Sequence, residues 1–455
     1  MFTVLVRDLV VMTMVCAGTM VGGSANAVAA PDEWVPAVSL SQASRGLVPG
    51  DVAVARNGAM AATWATRGGS VWVSRRPSGG AWQDAERLVD NGLGSSPQLA
   101  YDGRDRLLVA WAEIADTEPS GGPSELKVRR TLPSGAWGAE AVVARREIGR
   151  FEGVDLDVNR AGAAVVGCRW VPTTSGSAPR MFNRALAVVR PASGPWEPAV
   201  RWTSVVFEEV EVGDSGVSAI AMVEVHPVRP PDFLVARHHA GGWDAPHVVG
   251  RSDSGWGLGG VGLAVDGSGT TTAAWMFTSH ARWRLRTSTA AAGSPWSAAV
   301  TVDRRGTGTS FPLEVMAART GAVLVVWHTD DDQILAVRRP AGGDWASAVR
   351  LRPRESDPMV PSVTVGAAMQ ANGRAVVAWH NPGTDFDRGR GVVVRLMSRR
   401  GEWGATARLA GARLMAGRPA TALNRGEAAV AWAGKVRGGF DRYRILVRTH
   451  VRASG

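Results

Sequence analysis

Cysteine is all but missing from this chain. Cys16 falls in an N-terminal segment that reads as cleaved, which leaves Cys168 alone. One thiol can form no intrachain disulfide and no cysteine-rich zinc site, so stability has to come from the core. Lysine is as scarce: only Lys127 and Lys435 stand among 51 basic residues, and neither follows the glycine pattern of a phosphate-binding loop. Tyrosine is limited to Tyr101 and Tyr443. Helical periodicity is absent throughout, so an α-helical or doubly wound architecture is excluded.

What remains is 45% apolar and 20% charged, a balance that builds a core and is unlike that of a disordered chain. Residues 1–29 read as a secretory signal peptide: Arg7, the apolar run "LVVMTMVCAGTMV", then Ala-x-Ala patterns at Ala25–Ala27 and Ala27–Ala29. An uncleaved anchor is the alternative, whereas Val15 before Cys16 argues against a lipoprotein. Residues 30–455 form one domain, expected to be secreted, monomeric and outside the bilayer after cleavage.

The formal charge is +10, carried by arginines that recur along the whole chain, often as a pair before a turn. A nucleic-acid binder gathers its basic residues in one run or on one face. The dispersed pattern therefore reads as a solvated surface and no nucleic-acid partner is expected. Attachment to anionic envelope polymers is the minor alternative.

A repeat organises everything else. "RRPSGGAW" (Arg75 to Trp82) returns as "RRPAGGDW" (Arg338 to Trp345), and a Trp after a Gly-containing turn recurs at Trp82, Trp137, Trp196, Trp243, Trp296, Trp345 and Trp403. Trp34 is an eighth copy without the turn. A second landmark, a Gly six residues before a Trp, appears in "GAMAATW", "GTTTAAW", "GAVLVVW", "GRAVVAW" and "GEAAVAW". Asp105 replaces the Gly before Trp111, while Cys168 and Met222 occupy the Trp position in the third and fourth units. Each unit reads as four short strands joined by tight turns, the fourth beginning at the turn Trp. Intervals of 47 to 59 residues suit propeller blades. The expected fold is all-β, an eight-bladed β-propeller with four antiparallel strands per blade, seven blades being the alternative. The chain opens with a lone fourth strand at Trp34 and ends after a third strand at Arg444, so the two ends should close one blade and remove the free edge.

These units resemble secreted bacterial β-propellers of the sialidase-like and tachylectin-like kind over about Trp34 to Val451. The Gly-x-Trp turn is similar to the Asp-box repeat of sialidases, but its Ser-x-Asp-x-Gly core is replaced. The resemblance implies a Tyr nucleophile with Glu, an Asp acid and three arginines in a sialidase. Tyr101 falls on the apolar face of a first strand and Tyr443 precedes a third, so no catalytic residue carries over.

Several motifs have an ordinary structural reading. "GDSGV" (Gly213 to Val217) mimics a protease nucleophile turn but sits in the repeat's first turn, with no placed His and Asp partners. Fifteen of nineteen tryptophans occupy repeat positions and read as inter-blade core. Trp256, off the pattern in "RSDSGWGLGG", is the candidate for stacking on a sugar ring. Strand direction puts the long loops at the end opposite the tight turns, where binding residues concentrate. There His328 and His380 follow equivalent tryptophans, beside Asp330, Asp331, Asp385, Asp387 and Arg388. Two histidines with carboxylates suit a divalent cation or acid–base work; a polar cap is the plain reading. Counting seven and five back from the turn glycines gives Asp51, Asp155, Asp157, Glu209, Glu211 and Glu314 on the face that looks into the axial channel, either a cation-holding cluster or a water-screened lining.

The sequence therefore points to a non-catalytic propeller binding a cell-surface glycan or protein partner through its long-loop face. A glycoside hydrolase with carboxylates from different blades is the alternative. No cofactor is expected beyond a divalent cation on one of these groups.

Overall fold

In the computed structural model the residues described are 33–89, 97–114, 123–147, 149–172, 184–226, 229–251, 258–279, 282–303, 313–329, 333–352, 364–381, 391–410, 415–436 and 442–451. None of them is helical. They form eight antiparallel sheets, seven with their strands in chain order from the inside outward and the eighth with its outer strand taken from the start of the described chain. Blade 1 is typical: Val48–Val54, Met60–Ala65, Val71–Arg76 and Glu86–Val89. First strands of successive blades pack on one another all the way round, Met415–Asn424 of blade 8 meeting Val48–Val54 of blade 1. The fold is an eight-bladed β-propeller, and the third and fourth units are complete blades.

Blade 8 joins the two ends of the chain. Trp34 pairs with His450, Val38 with Val447 and Ser44 with Tyr443, so three short N-terminal pieces complete the sheet of Arg442–Val451. Arg448 fastens this seam, donating to the carbonyls of Trp34 at 2.8 Å and Val35 at 2.7 Å. A closed ring leaves no long unpaired strand edge.

The core lies between blades. Second-strand tryptophans Trp64, Trp111, Trp275, Trp327, Trp379 and Trp432 are at most 2% exposed. Cys168 and Met222 hold the same position at 0%. Cys168, for example, packs with Leu186 of its own blade and Leu108 and Ala110 of blade 2. The repeat thus conserves burial at this position across Trp, Cys and Met.

One detail differs from expectation. The fourth strand does not begin at the turn Trp. In every blade it begins, or resumes, four residues later, as at Trp82 and Glu86, Trp345 and Val349, or Trp34 and Val38. The residue after the Trp first donates its N–H to the third strand, as Gln83 does to Arg75 at 2.8 Å, and the chain then loops out before pairing again. The turn tryptophans are consequently half-buried at the rim, several beneath arginines: Arg190 over Trp196, Arg339 over Trp345, and both Arg75 and Arg129 over Trp137.

The two ends of the ring are unlike. Turns between first and second strands span five residues in blades 1 to 7, from 55–59 to 370–374, and two in blade 8, 425–426. Gly58 turns at φ 89° and Asp105 takes the equivalent place at φ 58°. "GDSGV" is this turn in blade 4. Second-to-third connections vary from 280–281 in blade 5 to 172–183 in blade 3.

Candidate functional site

The six predicted channel acids all lie on first strands, of blades 1, 3, 4 and 6. Their charges are felt across the ring: Asp155 acts on Asp51, Glu209, Glu211 and Glu314. Blades 3 and 6 are not neighbours, so these side chains meet near the axis. At or just before this level five first strands carry a register shift, Pro49/Val52 in blade 1 and Glu152/Asp155 in blade 3 among them. Such bulges re-aim side chains.

Each acid has a partner, and several partners belong to the next blade. Asp155 accepts from Leu156 N–H at 3.0 Å and from Val210 N–H of blade 4 at 2.9 Å. Asp157 accepts from Val158 at 2.8 Å and from Val212 at 2.7 Å. Asp51 reaches Val52 at 2.7 Å and Leu99 of blade 2. Glu209 accepts from Leu263 N–H of blade 5. Glu211 hydrogen-bonds Asp157. Glu314 pairs with Arg418 of blade 8 at 2.5 Å, and Arg418 also offsets Asp51 and Asp155. Burial is the main reason these carboxyls are hard to ionise, with mutual repulsion adding to it. Asp51 and Glu314 are pushed up to about 7 and Asp155 to about 6. Asp157 is raised, and Glu209 and Glu211 lie well above the ordinary value. The cluster therefore takes up protons at a higher pH than ordinary carboxyls do. Chemically it offers shared protons and backbone-tethered acceptors.

At the long-loop end, His328 and His380 close the second strands Val323–His328 and Ala375–Asn381, at 5% and 8% exposed. Burial, with Arg352 nearby, lowers His380 to about 4, which keeps its ring neutral. Both rings belong to the packed interior. Trp256, Asp330, Asp331, Asp385, Asp387 and Arg388 lie outside the described residues.

Sequence reasoning missed a cluster at this same end. In blade 4, Glu224 pairs in register with Asp232 across the second-to-third connection. His226, two residues on, sends Nε2 to within 3.4 Å of both carboxylates. These three atoms suit a metal ion. Asp232, only 1% exposed, is also held by Arg229 at 3.1 Å and Arg251 at 3.0 Å, so its charge is compensated and the group reads equally as an ion-pair node. The signal was available in the spacing of an acid, a His at i+2 and an acid beginning the next strand.

The tight-turn end holds a second unforeseen feature, a 680 Å³ groove beside the outer turn of blade 7, with Arg374, Arg399, Arg400 and Trp403 in its wall.

No protein-family model matches the chain, and no curated protein matches it. Solved structures do. A lectin from Burkholderia pseudomallei aligns with 81% of this chain and 99% of its own, at 15% identity and a TM-score of 0.51. A protein of unknown function from Dyadobacter fermentans covers 90% of this chain and all of its own, at 10% identity and a TM-score of 0.45. A Hadza microbial sialidase covers 84% of this chain and 73% of its own, at 11% identity and a TM-score of 0.43. At such identities the likeness concerns the propeller architecture alone.

Proposed function

We propose that this chain is a secreted, monomeric, non-catalytic binding propeller, residues 1–29 being removed on export, and that the long-loop face takes a cell-surface glycan or protein. The observation that carries this reading is the occupancy of the axial carboxylates. All six accept from backbone N–H groups, share a hydrogen bond with another acid or pair with Arg418. Acids committed to holding blades together are poorly placed to act as an acid and nucleophile pair on a sugar. Connections of widely different length on a rigid ring, by contrast, suit recognition.

The second reading, a glycoside hydrolase, is favoured by one observation: Glu211 shares a hydrogen bond with Asp157, and burial and the neighbouring acids raise it above the ordinary carboxyl value. A glycan array followed by a chromogenic glycoside panel on residues 30–455 separates the two. Array binding without turnover supports a binding module, turnover abolished by Glu211→Gln establishes the hydrolase, and silence in both overturns glycan recognition and leaves a protein partner.

A further inference from the structure

A propeller gathers at one place what its sequence disperses. The first-to-second turns touch from blade to blade around the axis. Arg56 N–H donates to Asp105 Oδ1 at 2.8 Å, Gly103 N–H to the Arg160 carbonyl at 3.1 Å, and Arg160 N–H to Asp214 Oδ1 at 3.1 Å. A Cβ on Gly267 would sit 2.6 Å from the Arg319 carbonyl, and Gln370 and Asn424 link blades 7 and 8. On this collar stand Arg56, Arg104, Arg160, Arg319 and Arg425 from five different blades, all but Arg56 exposed. Three of the collar's acids are already committed, while a fourth, Glu427 beside Gly58, keeps one oxygen without a hydrogen-bond partner among the described residues. Asp105 caps the Arg56 and Asn57 N–H groups, Asp214 pairs with Arg319 at 3.0 Å, and Asp266 folds onto its own turn. Arg104, Arg160 and Arg425 make no side-chain ion pair among the described residues.

The excess of guanidinium is densest at blades 2 and 3. One buried carboxylate, Asp102, serves both Arg106 and Arg130 at 2.8 Å, while Arg190 beside them donates to the Gly162 carbonyl at 2.7 Å. Burial lowers Arg130 and Arg190, and repulsion from neighbouring arginines adds to it. The same end carries the 680 Å³ groove walled by Arg374, Arg399, Arg400 and Trp403 with a single acid, Glu402, room for a sugar ring in a wall of three arginines.

We infer that the tight-turn face binds an acidic, carboxylate-bearing polysaccharide, laid across the arginine collar and along the blade 7 groove. This site lies on the face opposite the one proposed above and does not depend on it. Planar guanidinium groups match carboxylates bidentately, which fits a surface built from arginine with no lysine on the collar. Single-stranded nucleic acid would need free aromatic platforms. Several rim tryptophans on this face, Trp137, Trp196, Trp296 and Trp345, already lie under arginines.

The test uses residues 30–455 immobilised for interferometry at 50 and 200 mM NaCl, with polygalacturonate, neutral dextran and a 20-base-pair DNA duplex as probes. Arg104→Gln, Arg160→Gln and Arg425→Asn are combined, Asn suiting the φ of 45° at 425. Arg201→Gln and Arg350→Gln, exposed on fourth strands, and Arg444→Gln, exposed on the third strand of blade 8, form the charge-matched control. Expected are salt-sensitive binding of polygalacturonate, none of dextran, at least tenfold weakening in the collar triple and less than twofold in the control. No binding by the unmodified protein, equal loss in both triples, or duplex binding as tight as polygalacturonate overturns the inference. A long-loop ligand would be bound unchanged by the collar triple, so the two proposals fail separately.

Discussion

Asp157, on the innermost strand of blade 3, holds the backbone N–H of Val212 on the innermost strand of blade 4 at 2.7 Å. First strands are the inner edges of their sheets and their outward-directed N–H groups have no partner within the blade. A carboxylate from the preceding blade supplies one. The acids found by counting back from the turn glycines are thus, in large part, rivets between neighbouring sheets.

Asp157→Ala strands the Val212 N–H and should cost about 1–3 kcal/mol, the penalty for an unsatisfied buried donor. Guanidinium unfolding midpoints check this. Asp157→Asn, which keeps one acceptor oxygen, should lose less.

Stability should rise as pH falls through the neutral range. Asp51, Asp155 and Glu314 have folded values of about 6 to 7, above the ordinary carboxyl values of the unfolded chain, so the folded state holds more protons between about pH 4 and 7. Their contribution is complete below the unfolded values and declines until the folded values are passed. Asp102 and Glu152 are lowered by arginines and backbone donors despite some burial, and their contribution is lost at stronger acid. Thermal unfolding should therefore show a maximum Tm near pH 4 to 5 and a lower plateau above about 7. A maximum above pH 7 would contradict it.

Glu211→Gln removes one of the most crowded charges while keeping a hydrogen-bonding group beside Asp157. It should stabilise the protein at pH 8 and do so less at pH 5. Paired denaturation curves at the two pH values measure the difference.

Arg338 donates to the carbonyls of Arg399 at 3.0 Å and Arg400 at 3.1 Å, clasping blade 6 to the outer turn of blade 7. Arg237 at the equivalent position does the same to Ala291 and Ser294 of blade 5, both at 2.9 Å. Arg338→Lys cannot reach both acceptors at once and should cost about 1 kcal/mol in unfolding free energy, although the charge is kept.

The architecture was legible because a repeat fixes position: a Trp, a Gly six residues earlier and the next turn Trp suffice to count blades even where Cys168 or Met222 breaks the pattern. The axial acids were legible for the same reason, as strand alternation assigns their face. Their bonding was not, because the acceptor–donor pairs join residues more than fifty positions apart. The arginines misled. Judged along the chain, Arg56, Arg104, Arg160, Arg319 and Arg425 look dispersed, yet equivalent turns bring them to one collar. His328 and His380 misled differently, since a polar residue at a strand end was read as a surface group and both are buried.

The seam in blade 8 bears on how the molecule can come into being. Its outer strand precedes blade 1 in the chain and the strand it pairs with follows the rest of blade 8, so a nascent chain carries Trp34 uncovered until Arg442–Val451 has been made. A product that stops short of Arg442–Val451 lacks the finished circle whatever else it has folded.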